Sequence, residues 1–474
     1  MSEASPASER FRSPNARRPA IHHPTPRLID GSQALSTRGA VVPPTATQWL
    51  FVAAALLLPA AALAQWPRET GVVLHHGFFL LFALAASSRL AAALTPQGDA
   101  APATVADDDL PGYSVILPLY REAEVVPQLV SALEAIDYPR DRLQLMFVVE
   151  ADDPETRAAL AGLALPDHAE VVVAPPGLPR TKPRACNIAL DRATGALVTI
   201  YDAEDRPDPG QLREAATGFA AGSARLACLQ APLRIEHDRR FLPRQFALEY
   251  AIQFEVLLPM LSRLGAPFPL GGTSNHFRMS ALQAVGGWDP WNVTEDADLG
   301  FRLAAEGYEL GVLRAPTYEN APDTLAVWLP QRARWTKGYM QTFGVQTRHP
   351  PHWRTGVMAA FAMTLGVAIL AAFAHAPLLA FTLVGLTAGL VAGEAWLQPA
   401  DIVLLITGWL CTMAAAAVAV RRADAGLRLS DLLLMPLYWP LHSLAAVHAL
   451  VQLILCPHHW DKTRHVARTG QAAA

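Results

Sequence analysis

Leu197-Val-Thr-Ile-Tyr-Asp-Ala-Glu-Asp205 is a short apolar run that stops in three acids interrupted by one alanine. A run of this length, rich in β-branched and aromatic residues, reads as a buried strand. Residues 143–149 have the same form and end in Glu150-Ala-Asp152-Asp153. Tyr113-Ser-Val-Ile-Leu-Pro118 and residues 171–174 are two further apolar strands, and a helical stretch at about 122–136 follows the first. Strands alternating with helices predict an α/β domain with a mostly parallel sheet, which places ligands at the carboxyl ends of its strands. Acids stand at two of those ends.

The α/β stretch is set between apolar blocks. The 474 residues are 52% hydrophobic and 17% charged, against about 25% charged for an ordinary soluble protein, and mean hydropathy is +0.21. Apolar runs lie near 48–65, 71–94, 356–374, 377–396, 401–420 and 431–456, each close to the roughly 20 residues that span a bilayer. The chain therefore divides into a disordered tail (1–46), a transmembrane hairpin (47–96), the α/β domain (97–323), a basic amphipathic helix on the membrane surface (324–355), a second transmembrane block (356–456) and a short tail (457–474). Arg17-Arg18 is followed by His, Pro and Thr instead of an apolar run, which excludes a secretory signal. Basic tails place both termini in the cytoplasm, but six strict crossings then put Arg421, Arg422 and Arg428 outside, against the positive-inside rule. A late segment lying in the interface, such as the Pro-containing 431–440, would relieve that conflict. Net charge is −4, so no basic field points to nucleic acid. The four cysteines are far apart, without zinc-ligand spacing, and read as small apolar fillers.

Each polar motif has a plain structural reading beside a chemical one. Carboxylates at strand ends, here Asp152, Asp202, Glu204 and Asp205, are commonly solvated turns; two such ends in one sheet suit a nucleotide and a divalent cation. Arg180-Thr-Lys182-Pro-Arg184 opens an apolar helix, so its cations and free N–H groups can face a diphosphate. Thr294-Glu295-Asp296 reads as an N-cap and first turn of a helix running to about 305, where acids are favoured by the helix dipole and an ionised base would also be held. Gln331-Arg-Ala-Arg334-Trp335 lies on the amphipathic helix and offers a flat aromatic face for a sugar ring.

The ordered set Asp152, Asp202-Ala-Glu204, Thr294-Glu-Asp296 and Gln331-x-x-Arg-Trp335 resembles family 2 glycosyltransferases of the processive, cellulose-synthase-like membrane type, whose pattern is D, DxD, TED, QxxRW. The closing Trp460-Asp-Lys-Thr-Arg-His465 is similar to a tail motif of bacterial members. The resemblance implies a GT-A-type domain between helical transmembrane blocks. It implies that Asp152 and Asp202, with Lys182 and Arg334, hold a nucleotide-sugar, and that Asp296 is the catalytic base. Thr294, Glu295, Gln331 and Trp335 would then line the acceptor site. Mg²⁺ or Mn²⁺ would bind the second acid of DxD. That position is Glu204 with Asp205 adjacent, a departure from strict DxD that leaves the ligand open between the two.

The activity implied is inverting transfer from a nucleotide-sugar, UDP-glucose by family frequency, with UDP-N-acetylglucosamine and GDP-mannose as alternatives. The first reading is synthesis of a β-linked polysaccharide coupled to export, with possible export partner subunits. It rests on the membrane block beside QxxRW and on polar or aromatic residues in the apolar runs (Glu394, Trp396, Trp409, Tyr438, Trp439, His442 and His448). The alternative is transfer of one or a few sugars to a membrane lipid, and a non-catalytic export component is a third. The Ala-rich composition leads us to expect a bacterial inner membrane with the catalytic domain in the cytoplasm.

Overall fold

The computed structural model describes residues 39–96, 105–348, 355–393, 397–426 and 428–460. The expected disordered tail up to residue 38, Glu394, Trp396 and the tail beyond Trp460 lie outside them. Two helices come first, α1 (Ala46–Gln65) and α2 (Pro67–Leu94). The α/β domain follows, with strands β1 (Tyr113–Leu119), β2 (Leu143–Glu150), β3 (Ala169–Ala174), β4 (Leu197–Ile200), β5 (Arg206–Pro207), β6 (Leu226–Gln230), β7 (Leu233–Glu236), β8 (Asn275–Arg278), β9 (Glu309–Val312) and β10 (Thr317–Asn320). Its helices that shape the site are α3 (Lys182–Leu190), α4 (Phe241–Ile252) and α5 (Glu295–Ala305). Helix α6 (Leu325–Arg348) leads to the second helical block: α7 (Gly356–Ala392), α8 (Pro399–Ala423) and α9 (Met435–Leu455).

The large sheet has the order β3-β2-β1-β4-β8-β6-β9, and β5, β10 and β7 form a second, three-stranded sheet. The pairs β1–β2, β1–β4, β2–β3 and β6–β9 are parallel, whereas β8 runs antiparallel to both β4 and β6. Continuous apolar strands arise because the sheet is covered on both faces. Alternate residues go to opposite cores: Ile116, Met146, Val148 and Val198 to one, and Val115, Leu117, Leu145, Phe147 and Val149 to the other. The carboxyl ends of β1, β2 and β4 therefore open on one edge.

Strand β8 (Asn275–Arg278) follows directly on the polar run Gly271-Gly-Thr-Ser274 and has no apolar pattern of its own. Its side chains Asn275 and His276 are fully buried, and His276 bonds Tyr113 at 2.5 Å and Gln211 at 3.0 Å. Hydrogen bonding replaces the apolar pattern that would have announced a buried strand.

Among the described residues five helices are long and apolar enough to cross a membrane, α1, α2, α7, α8 and α9. The sequence suggests six, because the runs on either side of Pro377 look separate. They form one helix of 37 residues, about 55 Å long at 1.5 Å per residue. Pro377 lies inside it, where the turn is repaired from outside: the Ser443 hydroxyl donates to the Ala372 carbonyl at 2.6 Å and accepts from the Ala376 N–H at 2.9 Å.

Helices α2 and α8 pack parallel along their length. His75 meets Asp401 at 2.8 Å near one end, and Arg422 donates to the Thr95 carbonyl at 2.7 Å at the other. The Arg422 end is also fastened to the α/β domain through the Glu255 carbonyl at 2.7 Å. Helix α9 is different, because it runs alongside α6 and touches that assembly at both ends. Trp328 donates to the Tyr438 hydroxyl at 2.9 Å. Some four turns further on, Lys337 donates to Gln452 at 2.9 Å and to the His459 carbonyl at 2.7 Å. Arg332 and Lys337, read from the sequence as cations of a surface helix, are 8% and 0% exposed and point into this packing. Cys186, Cys228 and Cys411 are buried as expected of fillers, but Cys456 is exposed.

Candidate active site

One cavity of about 940 Å³ gathers most of the residues singled out in the sequence. Its water-side end is formed by the segment 118–122 after β1, by Glu150 at the end of β2 and by Asp202 and Glu204 after β4. Lys182, in the first turn of α3, pairs with Asp202 and donates to the Gly272 carbonyl at 2.5 Å. Burial works against the Lys182 charge, but Asp202 and Glu295 outweigh it and raise the pKa above the ordinary value. Lys182 is thus a fixed cation at the head of a helix. Asp152 stands apart: it pairs with Arg180 across exposed side chains and is not among the residues lining the cavity. Glu150, two residues earlier, lines it instead, 3.6 Å from Arg184 and with its pKa raised chiefly by burial.

The two candidate metal ligands face different ways. Asp205 is 1% exposed; it accepts from the Asp202 N–H at 2.7 Å and from the Thr273 hydroxyl, holding the turn together. Glu204 lines the cavity and Asp205 does not. Burial, then the charges of Asp205, Asp202 and Glu122, push Glu204 well above the usual carboxylate range. Glu319 is raised in the same way, by burial and then by Asp205, Glu204 and Asp202. Such a cluster of repelling acids fits a divalent cation. Among the described residues no group of three carboxylate, imidazole or thiol side chains converges to hold an ion.

Helix α5 brings Glu295 and Asp296 to the middle of the cavity. Thr294 occupies the N-cap position but its side chain makes no capping bond; it is pressed against Gly338 of α6, where an added Cβ would come within 2.2 Å of the Thr294 hydroxyl. Asp296 accepts from the Ala297 N–H at 2.7 Å, and a Cβ on Gly272 would sit 3.3 Å from its other oxygen. The glycine keeps that carboxylate edge open. Burial raises Asp296, while Lys182 and Arg334 oppose the rise. Glu295 is pushed up to about 8 by burial and then by the Asp296 charge.

Helix α6 fixes this turn from the other side. Gln341 accepts from the Val293 N–H at 3.1 Å, and Asn292 donates to Thr342 at 3.0 Å. Gln331, Arg334 and Trp335 all line the cavity, with the Gln331 carbonyl oxygen and Arg334 Nε buried and without protein partners. Trp335 rests on Phe246 and Tyr250, with ring centres 6.1 and 5.9 Å away, and Arg332 stands 4.4 Å from its own ring centre. The guanidinium of Arg334 stacks on Trp460 at 4.7 Å, so the C-terminal segment closes one wall. Beyond Trp335 the cavity continues between α2, α7 and α9, past alkyl side chains such as Met363, Val367 and Ile369.

Sequence reading missed the segment 118–122, Glu150, Glu319 and the buried pair Arg332–Glu249 (2.9 and 2.7 Å). The first two were legible as the carboxyl ends of predicted strands. Glu319 and Glu249 carry no local signal, because only the tertiary fold brings them to the site.

The cavity thus joins an acidic end at the carboxyl edge of the sheet to an alkyl-lined end between long apolar helices. Residues 197–421, a little under half of the chain, match the family model described as "Glycosyl transferase family group 2". A beta-monoglucosyldiacylglycerol synthase of Synechocystis is 28% identical over 52% of this chain and 50% of its own length. A probable glucomannan 4-beta-mannosyltransferase of Arabidopsis thaliana is 24% identical over 51% of this chain and 45% of its own length. The chain spans about half the length of these curated relatives. A solved mannosyltransferase from Pyrobaculum calidifontis, in complex with GDP-Man and Mn²⁺, superposes with a TM-score of 0.51 at 20% identity, over 84% of this chain and 99% of its own. The fold is therefore GT-A-like, with a mostly parallel sheet flanked by apolar helices.

The Thr294–Gly338 contact gives a direct check on this geometry. Gly338→Ala must displace the stiff Thr294 side chain and the carboxylates beside it. It is expected to cost about 1–3 kcal/mol of stability, read by thermal unfolding in detergent, whereas Gly344→Ala, with open space around it, should be neutral or stabilising.

Proposed function

We propose that this protein is an inverting glycosyltransferase that moves a sugar from a nucleotide-sugar donor to a hydroxyl of a membrane lipid. The observation that carries this reading is the single cavity, polar and acidic where β1, β2 and β4 end, alkyl-lined where it passes between α2 and α7. A nucleoside diphosphate suits the first part and a hydrocarbon chain the second. The sequence alone put polysaccharide synthesis first. Of the residues that favoured it, Tyr438, Trp439 and His442 line the cavity, whereas Trp409 and His448 do not.

In this reading Asp296, ionised, takes the proton of the acceptor hydroxyl. That oxygen attacks the anomeric carbon as the bond to the diphosphate oxygen breaks, and the nucleoside diphosphate leaves with the electron pair. A single displacement inverts the anomeric centre. Lys182 and Arg334 place positive charge beside the leaving group, Asp202 orients Lys182, and Gln331 and Trp335 border the acceptor. Glu204 is the residue that would hold Mg²⁺ or Mn²⁺, with Asp205 shaping its turn; the ion, when bound, offsets the diphosphate charge. Glu204→Gln is then expected to weaken activation by Mn²⁺ at least about tenfold, read as the metal concentration for half-maximal turnover. Asp205→Asn should act mainly on stability, and an equal effect on metal activation would reverse the assignment.

The product decides the main reading. Purified protein in lipid discs, given Mn²⁺ and a panel of labelled nucleotide sugars beginning with UDP-glucose, is expected to label organic-extractable lipid. Label confined to water-soluble, high-molecular-weight material would return the case to polysaccharide synthesis. Asp296→Asn should abolish transfer while retaining nucleotide binding. Because the base must be ionised and burial raises its pKa, turnover should rise with pH through a limb above the ordinary carboxylate value of about 4.

We further propose four crossings, α1, α2, α7 and α8, with α9 lying along α6 on the side of the catalytic domain. Arg421, Arg422 and Arg428 then fall on that same side, which the positive-inside rule makes the cytoplasm. Cys456, the exposed cysteine, should react with an impermeant maleimide in inverted membrane vesicles and stay unreacted in intact cells. Labelling from outside would make α9 a crossing helix.

A further inference from the structure

The membrane half of the cavity contains a cation for which the reaction above has no use. Arg89 lines it from α2. Its guanidinium makes a long hydrogen bond, 3.4 Å, to the carbonyl of Ala85 in its own helix. Among the described residues no carboxylate lies within ion-pairing distance of it: Glu249 is taken by Arg332 and Tyr438, and Asp401 is at the far end of α8 beside His75. An arginine in an apolar helix without a counter-ion is costly and marks a site for an anion or a water-filled path. Arg89 lies five residues from the end of α2 at Leu94, about 8 Å along the helix axis. That is near the catalytic-side boundary of the bilayer, the depth at which lipid phosphates reside.

A second group faces the same space. His375 of α7 lines the cavity, and its Nδ1 is buried with no partner in the protein. Its ring is fixed by stacking on Trp439, with centres 5.8 Å apart, and it lies within electrostatic reach of Arg89. A guanidinium and a spare imidazole nitrogen, walled by alkyl side chains, match a phosphate attached to hydrocarbon.

We propose that Arg89 and His375 form a phosphate-binding subsite for the acceptor. The acceptor is therefore a lipid whose sugar-accepting hydroxyl is joined to its apolar chain through a phosphate. This rests on the lipid-acceptor reading above and narrows it. The hydroxyl projects from the phosphate toward Asp296 while the chain follows the alkyl wall of α7. A hydroxylated glycerophospholipid and an isoprenoid diphosphate carrying a first sugar share this chemistry, whereas diacylglycerol lacks the phosphate.

The test gives the protein in phosphatidylcholine discs one of three acceptors: phosphatidylglycerol, an isoprenoid diphosphate sugar or diacylglycerol. Label should enter one of the two phosphate-bearing lipids, and which one identifies the source. Arg89→Gln should raise the apparent KM for that lipid by roughly ten- to hundredfold, the loss of a charge-assisted hydrogen bond. The KM for the nucleotide sugar should stay unchanged, which also shows that the variant is folded, and Arg89→Lys should recover part of the loss. Equal use of diacylglycerol, or an unchanged acceptor KM in Arg89→Gln, overturns the phosphate subsite and leaves the lipid reading standing. Label only in a water-soluble polymer overturns both.

Discussion

The bond between Arg332 and Glu249 holds the site in register with the membrane. Two hydrogen bonds, 2.9 and 2.7 Å, join α6 to α4, and the Tyr438 hydroxyl of α9 donates to the same carboxylate at 2.9 Å. Glu249 keeps 29% of its side chain exposed, so its charge is not fully removed from solvent, while the Arg332 Nε is buried without a protein partner. Here the guanidinium also lies against Trp328, Phe246 and Trp335. Three elements from distant parts of the chain meet at one carboxylate. Because Arg332 is covered on all sides, Trp335 is presented to the cavity in one orientation. Arg334, two residues along the helix, turns toward the nucleotide side, where Trp460 supports it.

The charges in the cavity explain why a metal is expected to accompany the donor. Glu204, Glu319, Glu295 and Asp296 are all raised, burial being the largest cause each time. Asp202 is matched by Lys182. A diphosphate brought beside these acids would add to the repulsion, and Lys182 and Arg334 offer two positive charges against it. In the proposed reading, a divalent ion held by Glu204 would offset that repulsion. Burial also makes Asp296 a stronger base than an exposed aspartate.

Much of this was written locally. The strands β1, β2 and β4 are continuous apolar runs because both sheet faces are covered, and each ends in residues that reach the site. The Thr294-Glu-Asp296 turn and the Gln331–Trp335 stretch could be read as motifs but not as neighbours; their contact depends on Gly338, whose missing side chain says nothing in isolation. Strand β8 was hidden because Asn275 and His276 are buried by hydrogen bonding. Asp152 misled by chemistry alone, since Arg180 neutralises it at the surface while Glu150 turns inward. The repair of Pro377 by Ser443, which makes one long helix of two apparent segments, involves residues 66 positions apart and leaves no mark in either run.

The placement of α9 follows from a similar limit of local reading. Its 21 residues are apolar enough to cross a bilayer, and hydropathy cannot distinguish a crossing helix from one that lies between protein and lipid. What distinguishes them is where the ends are held, and Tyr438 and His459 are both tied to α6. With four crossings, as proposed, such a helix would form a shelf at the membrane boundary between the α/β domain and the bilayer. Trp439 and His442 on that shelf line the cavity just where its wall changes from acidic to alkyl. A donor that is soluble in water and an acceptor that is soluble in lipid can meet only at such a boundary. In the proposed topology the α6–α9 pair would build that boundary from protein, so the reacting groups need not enter the hydrocarbon.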